Sequence, residues 1–251
     1  MCCLYSKPFA GGLPSLKAAA DEPIVCYVTD RKSLNPAMAQ ARTSQILENI
    51  RRAVEAGVDW VQIREKDLPA RELLELARQA VQMAAGRGRG NPGRARLIIN
   101  DRLDVALAAG AQGVHLGHES LGARDVVRWC RAGNAPSEFA IGVSCHSLEE
   151  ARKAESAKAD YIFLGPIFET PSKLQFGAPQ GLVKLAEVCR AVANMKVVAI
   201  GGVNAENAAS CIQAGADGIA AIRMFQDSDH SREINNVVAF IRNLGSEEGS
   251  R

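Results

Sequence analysis

The sequence predicts an α/β fold: a single-domain (β/α)8 TIM barrel preceded by a short N-terminal extension. Three observations carry this reading. Short apolar runs alternate with longer segments of helical spacing, eight of each, from residue 24 onward. A quasi-repeat recurs near residues 56, 109, 158 and 214, as AGVDWVQI, AGAQGVHL, AKADYIFL and AGADGIAA, about two βα units apart. The chain has 251 residues, close to the roughly 250 typical of this barrel. Eight units with internal repetition favour a closed barrel over an open doubly wound sheet.

Strands are expected at 24–29, 58–63, 96–100, 113–116, 139–143, 161–165, 197–200 and 218–222. Continuous apolar runs of this kind suit strands buried on both faces. Helices are expected at 43–56, 70–85, 103–109, 123–130, 148–157, 182–193, 205–214 and 232–244. Thr43 or Ser44 can cap the first, Ser147 with Glu150 forms a capping-box pattern, and Asn204 stands as N-cap before Ala205. Gly57, Gly110 and Gly215 occupy the position after a helix end where a positive φ is usual. A helix between successive strands requires parallel pairing with right-handed crossovers. Residues 1–22 read as an N-terminal extension, 23–245 as the barrel and 246–251 as a C-terminal tail; GRGRGNPGR at 86–94 reads as a surface loop.

Composition narrows the function classes. Thirty Lys+Arg against 28 Asp+Glu leave a formal charge of +2, so there is no electrostatic case for nucleic acid or membrane as partner. No apolar run approaches the roughly 18 residues that would span a bilayer. Seven cysteines without CxxC spacing read as small buried hydrophobes in a reducing compartment, not as a zinc site or disulfide framework. The N-terminus lacks a basic region followed by an apolar one, which makes the cytoplasm the expected location. The sequence leaves the oligomeric state open, a homo-oligomer included.

In such a barrel the active site lies at the C-terminal ends of the strands, so the residues after each apolar run carry the chemistry. The second run leads into Gln62-Ile63-Arg64-Glu65-Lys66-Asp67. Alternation puts Gln62, Arg64 and Lys66 on one side, an arrangement suited to an anion; the competing reading is a rim salt-bridge cluster with Glu65 and Asp67. Asp101, after Asn100, is either a Mg2+ ligand or the cap of the next helix. His115 packs in the barrel, and His118 and Glu119 stand near a metal shell. Ser144 and His146 share one side, without the partners of a catalytic triad. His146 is either a proton shuttle or a structural residue at a helix start. Thr170, Ser172 and Lys173 form a second oxyanion-binding loop, long enough to act as a lid. Gly201-Gly202 and Arg223 fall in the loops after strands seven and eight, where such barrels frequently bind phosphate. Together these residues describe a site for a phosphorylated or diphosphorylated small molecule with Mg2+.

The segments QIREK (62–66), IINDR (98–102), GVHLG (113–117), GVSCH (142–146), GPIFETPSK (165–173) and IGGV (200–203) resemble, in order, those of thiamine phosphate synthase and its sister group, the thiazole tautomerases (TenI-like). The resemblance runs over roughly residues 24–225. It implies a transferase joining a hydroxymethylpyrimidine diphosphate to a thiazole phosphate with release of pyrophosphate. It implies that Gln62, Arg64, Lys66, Asn100 and Lys173 hold the pyrimidine diphosphate. Asp101 would bind Mg2+, and Ser144 would lie near the pyrimidine and leaving group. Thr170, Ser172, Gly202 and backbone at Ile222 and Arg223 would hold the thiazole phosphate. Arg64, Lys66, Ser144 and Lys173 are thus the catalytic candidates, with His146 as proton shuttle in the tautomerase reading. A binding relative without turnover is a third reading.

Three departures stand out. Where the synthases carry an acidic pair whose Asp is the second Mg2+ ligand, this chain has Glu119-Ser120, so that either Glu119 substitutes through a water or Mg2+ binding is weaker. Ser172 replaces the usual Thr, and Arg223 the usual Ser.

Overall fold

A computed structural model describes residues 22–34, 42–84, 95–170, 179–226 and 231–247. Eight strands form the barrel: β1 Ile24–Val28, β2 Trp60–Ile63, β3 Arg96–Asn100, β4 Gly113–Leu116, β5 Ala140–Cys145, β6 Tyr161–Leu164, β7 Lys196–Ile200 and β8 Gly218–Ala221. The helices are α1 Arg42–Ala56, α2 Ala70–Ala84, α3 Leu103–Ala109, α4 Ala123–Trp129, α5 Leu148–Ser156, α6 Gly181–Ala191, α7 Ala208–Gln213, α8 Arg223–Gln226 and α9 Ser231–Glu247. Every neighbouring pair of strands is parallel, and β8 closes on β1 with Cys26 opposite Ala220.

Alternation along each strand builds two apolar layers. Inside the barrel lie Cys26, Val28, Trp60, Ile98, Ala140, Tyr161, Phe163, Val198 and Ala220. Their neighbours in sequence, among them Val25, Tyr27, Val61, Leu97, Ile99, Ile141, Ile162 and Val197, point outward under the helices. Both layers are buried, which explains why the strands read as continuous apolar runs.

The two-unit repeat has a structural cause. Gly57, Gly110 and Gly215 have φ of 90°, 72° and 98°, and the third repeat holds Lys158 at φ 63° in their place. Two residues later comes a polar side chain that pins the preceding strand. Asp59 Oδ2 accepts from Val25 N at 2.9 Å, and Gln112 Oε1 accepts from Leu97 N at 2.9 Å. Asp160 Oδ2 accepts from Ile141 N at 2.7 Å, and Asp217 Oδ2 accepts from Val197 N at 2.8 Å. Each repeat therefore ties an even-numbered strand to the odd-numbered one before it, at the N-terminal face of the barrel.

Four local expectations change. Helix α1 includes Arg42, which puts Thr43 and Ser44 inside the helix and not at its N-cap. Helix α7 begins at Ala208, not 205, because the Asn204 carboxamide accepts from the amides of Glu206 (3.0 Å) and Asn207 (3.1 Å) and so caps a turn that precedes the helix. The capping box at α5 is only half formed. Ser147 Oγ accepts from Glu150 N at 3.2 Å, but the Glu150 carboxylate takes His146 N at 2.6 Å in place of Ser147 N. The short helix α8, immediately after β8, has no periodicity long enough to announce it. Residues 1–21, 86–94 and 248–251 lie outside the described residues.

Candidate active site

Strand register decides which polar residues look into the barrel. Gln62 stands opposite Ile98, Asn100 opposite His115, His115 opposite Gly142, and Ser144 opposite Phe163. All belong to the inward-facing set. Gln62 is 2% exposed; its Nε2 donates to Asn100 Oδ1 at 2.7 Å, while its Oε1 is buried without a partner among the described residues. An unpartnered buried acceptor is costly unless something supplies a donor.

Strand β2 stops at Ile63, so turn geometry and not strand alternation places Lys66. Arg64 N donates to Thr29 Oγ1 at 3.0 Å, and its side chain is half-buried. Glu65 turns away from both cations. It accepts from Thr29 Oγ1 at 2.6 Å and from Arg31 N, while Asp67 pairs with Arg31 at 3.0 Å. The rim salt-bridge cluster therefore exists, but with Arg31 and Lys32 as its cations. Among the described residues, Arg64 and Lys66 form no ion pair. Burial raises the Glu65 carboxyl above its ordinary value, against the hydrogen bonds from Thr29 and Arg31.

Asp101 does not cap α3: Arg102 holds the N-cap position, without a side-chain cap bond. Asp101 takes φ 63°, its N–H on the His115 carbonyl at 2.8 Å, which swings its carboxylate toward the loop after β4. There Oδ1 accepts from Gly117 N at 3.0 Å and from the Ser120 hydroxyl, and Oδ2 accepts from the Asn100 carboxamide. Glu119 is exposed, and among the described residues Ser120, not Glu119, bonds the Asp101 carboxylate. No group of three or more His, Cys, Asp or Glu arranged to hold a metal occurs among the described residues. His118 is also exposed.

Ser144 and His146 separate. Ser144 Oγ lies 2.9 Å from His115 Nε2 inside the barrel. His146 is exposed, and its Nδ1 donates to the Gly165 carbonyl, joining the loops after β5 and β6. His115 packs inside the barrel as the sequence predicts, against Phe163 and Tyr161, and its ring nitrogens also meet Tyr161 and Ser144. It is 1% exposed, and burial, with a smaller push from Arg64, lowers its pKa to about 3 against a weaker pull from Asp101. The ring is therefore neutral at physiological pH.

The loop after β6 is anchored at both ends. Ile167 N and Phe168 N donate to the carbonyls of Ile200 (3.0 Å) and Gly201 (2.9 Å); Gln180 N and Gly181 N return to Pro166 (2.7 Å) and Ile167 (3.0 Å). Thr170 is buried beside this junction. Gly202 has φ 70°, and a Cβ there would fall 2.7 Å from the Glu169 carbonyl oxygen, so the two loops meet only with glycine at 202. Ser172 and Lys173 lie outside the described residues. Ile222 packs against the inner barrel layer, and its carbonyl accepts from Phe225 N and Gln226 N to start α8. Arg223 is exposed on that helix.

The structure thus brings Gln62, Asn100, Asp101, Ser144 and Ser120 to one mouth, with Arg64 beside them. It sets Glu119, His146 and Arg223 at the exposed rim.

Residues 26–225 match the family described as thiamine monophosphate synthase. The chain is 44% identical to thiamine-phosphate synthase of Moorella thermoacetica over 70% of its own length and 78% of the relative's. It is 40% identical to thiamine-phosphate synthase of Roseiflexus sp. over 79% of its length and 76% of the relative's. Among solved structures, thiamine phosphate pyrophosphorylase from Pyrococcus furiosus superposes with a TM-score of 0.71 at 30% identity, covering 90% of this chain and 96% of that one.

Proposed function

The chain belongs to the thiamine monophosphate synthase family, and from that premise we propose that it is a transferase joining 4-amino-2-methyl-5-hydroxymethylpyrimidine diphosphate to a thiazole phosphate, with release of pyrophosphate. The observation that carries this reading is Gln62 Oε1, buried and without a partner among the described residues, beside Asn100, under a rim where Arg64 and Lys66 likewise form no ion pair among those residues. A neutral heterocycle bearing a hydrogen-bond donor suits the first, and a diphosphate suits the second.

In the reaction the bond between the pyrimidine methylene carbon and the diphosphate oxygen breaks, and its electron pair leaves with pyrophosphate. The thiazole nitrogen then supplies the electron pair of the new carbon–nitrogen bond. Charge develops on the leaving group, so preorganised cations lower the barrier. Arg64, Lys66 and Lys173 serve there, and Ser144 donates a hydrogen bond to the same oxygens. Thr170, Ser172, Gly202 and the backbone at Ile222 and Arg223 hold the thiazole phosphate. The nitrogen needs no general base.

Mg2+ fits the donor set around Asp101. Hard oxygen ligands are present in the Asp101 carboxylate and the Ser120 hydroxyl, and Mg2+ commonly uses one or two carboxylates and takes the rest from phosphate and water. Glu119, exposed nearby, can act through a water. When bound, the ion neutralises charge on the departing pyrophosphate. The five described cysteines are free and buried, which suits a reducing compartment such as the cytoplasm. No helix among the described residues is long and apolar enough to cross a membrane.

The deciding experiment supplies both substrates, with and without Mg2+, and measures thiamine phosphate. Product formation that requires Mg2+ and is lost in Lys173→Ala is the expected result. Turnover of a thiazole carboxylate phosphate tautomer without any thiamine phosphate would overturn the reading in favour of the tautomerase chemistry.

A further inference from the structure

We infer that His115 is a positioning residue, held by Tyr161, that fixes Ser144 as a hydrogen-bond donor toward the mouth of the barrel. The inference rests on the synthase reading above, which places the departing pyrophosphate at Ser144. It adds a direction to the hydrogen bonds beneath that residue and assigns work to two side chains that touch no substrate.

The chain of contacts runs Tyr161 Oη to His115 Nδ1 at 3.2 Å, and His115 Nε2 to Ser144 Oγ at 2.9 Å. Tyr161 is 1% exposed, and among the described residues its hydroxyl has His115 as its one hydrogen-bond partner. A buried O–H hydrogen without an acceptor is costly, whereas an unused lone pair on the same oxygen costs less. Tyr161 therefore donates and Nδ1 accepts. In a neutral imidazole the proton then sits on the other nitrogen. His115 Nε2–H donates to Ser144 Oγ, one oxygen lone pair is occupied, and the serine's own O–H is left for a group at the mouth. The opposite tautomer would consume that O–H inside the barrel and present only an acceptor to an anion.

The surroundings hold this geometry in place. Register sets His115, Gly142 and Tyr161 side by side around the barrel. A Cβ at residue 142 would lie 2.0 Å from Tyr161 Cζ and 2.4 Å from its hydroxyl oxygen, so the phenol reaches His115 only because residue 142 is glycine. The His115 ring packs 4.4 Å from the Phe163 ring, and the Tyr161 ring 4.6 Å from that of Trp60. Neither ring has room to turn away.

Two measurements on the full-length enzyme test this. NMR of the enzyme labelled with 15N-histidine reads which ring nitrogen of His115 carries the proton. Nε2–H is expected, and Nδ1–H overturns the inference without reference to activity. In steady-state kinetics, Ser144→Ala and His115→Leu should each lower kcat by about 10- to 100-fold, the loss typical of one hydrogen bond to a charged group. The KM for the thiazole phosphate should stay within about twofold, because only the leaving-group interaction is removed. The double variant should be no worse than Ser144→Ala alone, and His115→Gln, which keeps an N–H near the Nε2 position, should recover most of the rate. Losses that multiply in the double variant, or an unchanged kcat in His115→Leu, overturn the role of His115 and leave the synthase reading intact. An unchanged kcat in Ser144→Ala removes Ser144 from the site and this inference with it. If His115→Leu fails to fold, Tyr161→Phe takes its place: a shift of the histidine proton from Nε2 supports the inference, and an unshifted proton overturns it.

Discussion

Lowering the pH from 7 to 5 should destabilise the wild-type chain more than His115→Gln, by about 2 kcal/mol. His115 is buried and neutral, with its pKa lowered from 6.5 to about 3. The unfolded chain takes up a proton near 6.5, and the folded chain does not until about 3. Between these values the unfolded state binds more protons, so stability is fully present above 6.5 and is lost as the pH falls through that window. At pH 5 the unfolded state has gained about 1.5 pH units of protonation free energy, at roughly 1.36 kcal/mol each. Glutamine does not titrate, and the other ionisable groups are common to both proteins, so subtraction isolates the histidine. The assay is urea unfolding in chelator at pH 7, 6 and 5, followed by tryptophan fluorescence and circular dichroism. Two stability curves that run parallel between pH 7 and 5 would refute the claim that His115 is buried uncharged at the centre of the barrel.

Other outcomes follow from named contacts. Ser120→Asp replaces a hydroxyl that donates to Asp101 with a second carboxylate; unfolding in chelator should show a loss of about 1–3 kcal/mol. Added Mg2+ should reverse that loss, and the Mg2+ needed for half-maximal activity should fall; an unchanged requirement would show that Glu119 or water already compensates. Gly142→Ala drives a methyl group into the Tyr161 ring, and urea unfolding should report a loss of about 1–3 kcal/mol or more. Arg242→Ala removes donors from the Gly57 carbonyl (2.6 Å) and Asp59 (3.1 Å). With Asp59 left half-buried and α9 untied from the barrel floor, a loss of about 1–3 kcal/mol is expected by the same measurement.

Much of the site was legible from residue order because a barrel maps it onto place. The end of every parallel strand faces one mouth, so Gln62, Asn100, Asp101 and Ser144 could be assigned to it from spacing alone. Partner choice was not legible. Glu65 and Asp67 alternate with Arg64 and Lys66 in sequence, yet both pair with Arg31, which arrives from the loop after β1. Ser144 and His146 differ by two residues and were expected on one side. The strand ends at Cys145, and beyond it His146 follows the turn to the Gly165 carbonyl, away from the barrel interior.

The sequence by itself determined the eight-unit barrel, its closure and the mouth that carries the chemistry. Those follow from local periodicity and from a repeat that recurs about every two βα units. Only the tertiary structure decided what each polar side chain bonds. Ser120 completes the shell of Asp101, and Gly142 opens the space through which Tyr161 reaches His115, from three different strands. These contacts depend on stagger and on which Cβ is missing across the barrel. Such distances are set by closure of the whole sheet, and no window of neighbouring residues contains them.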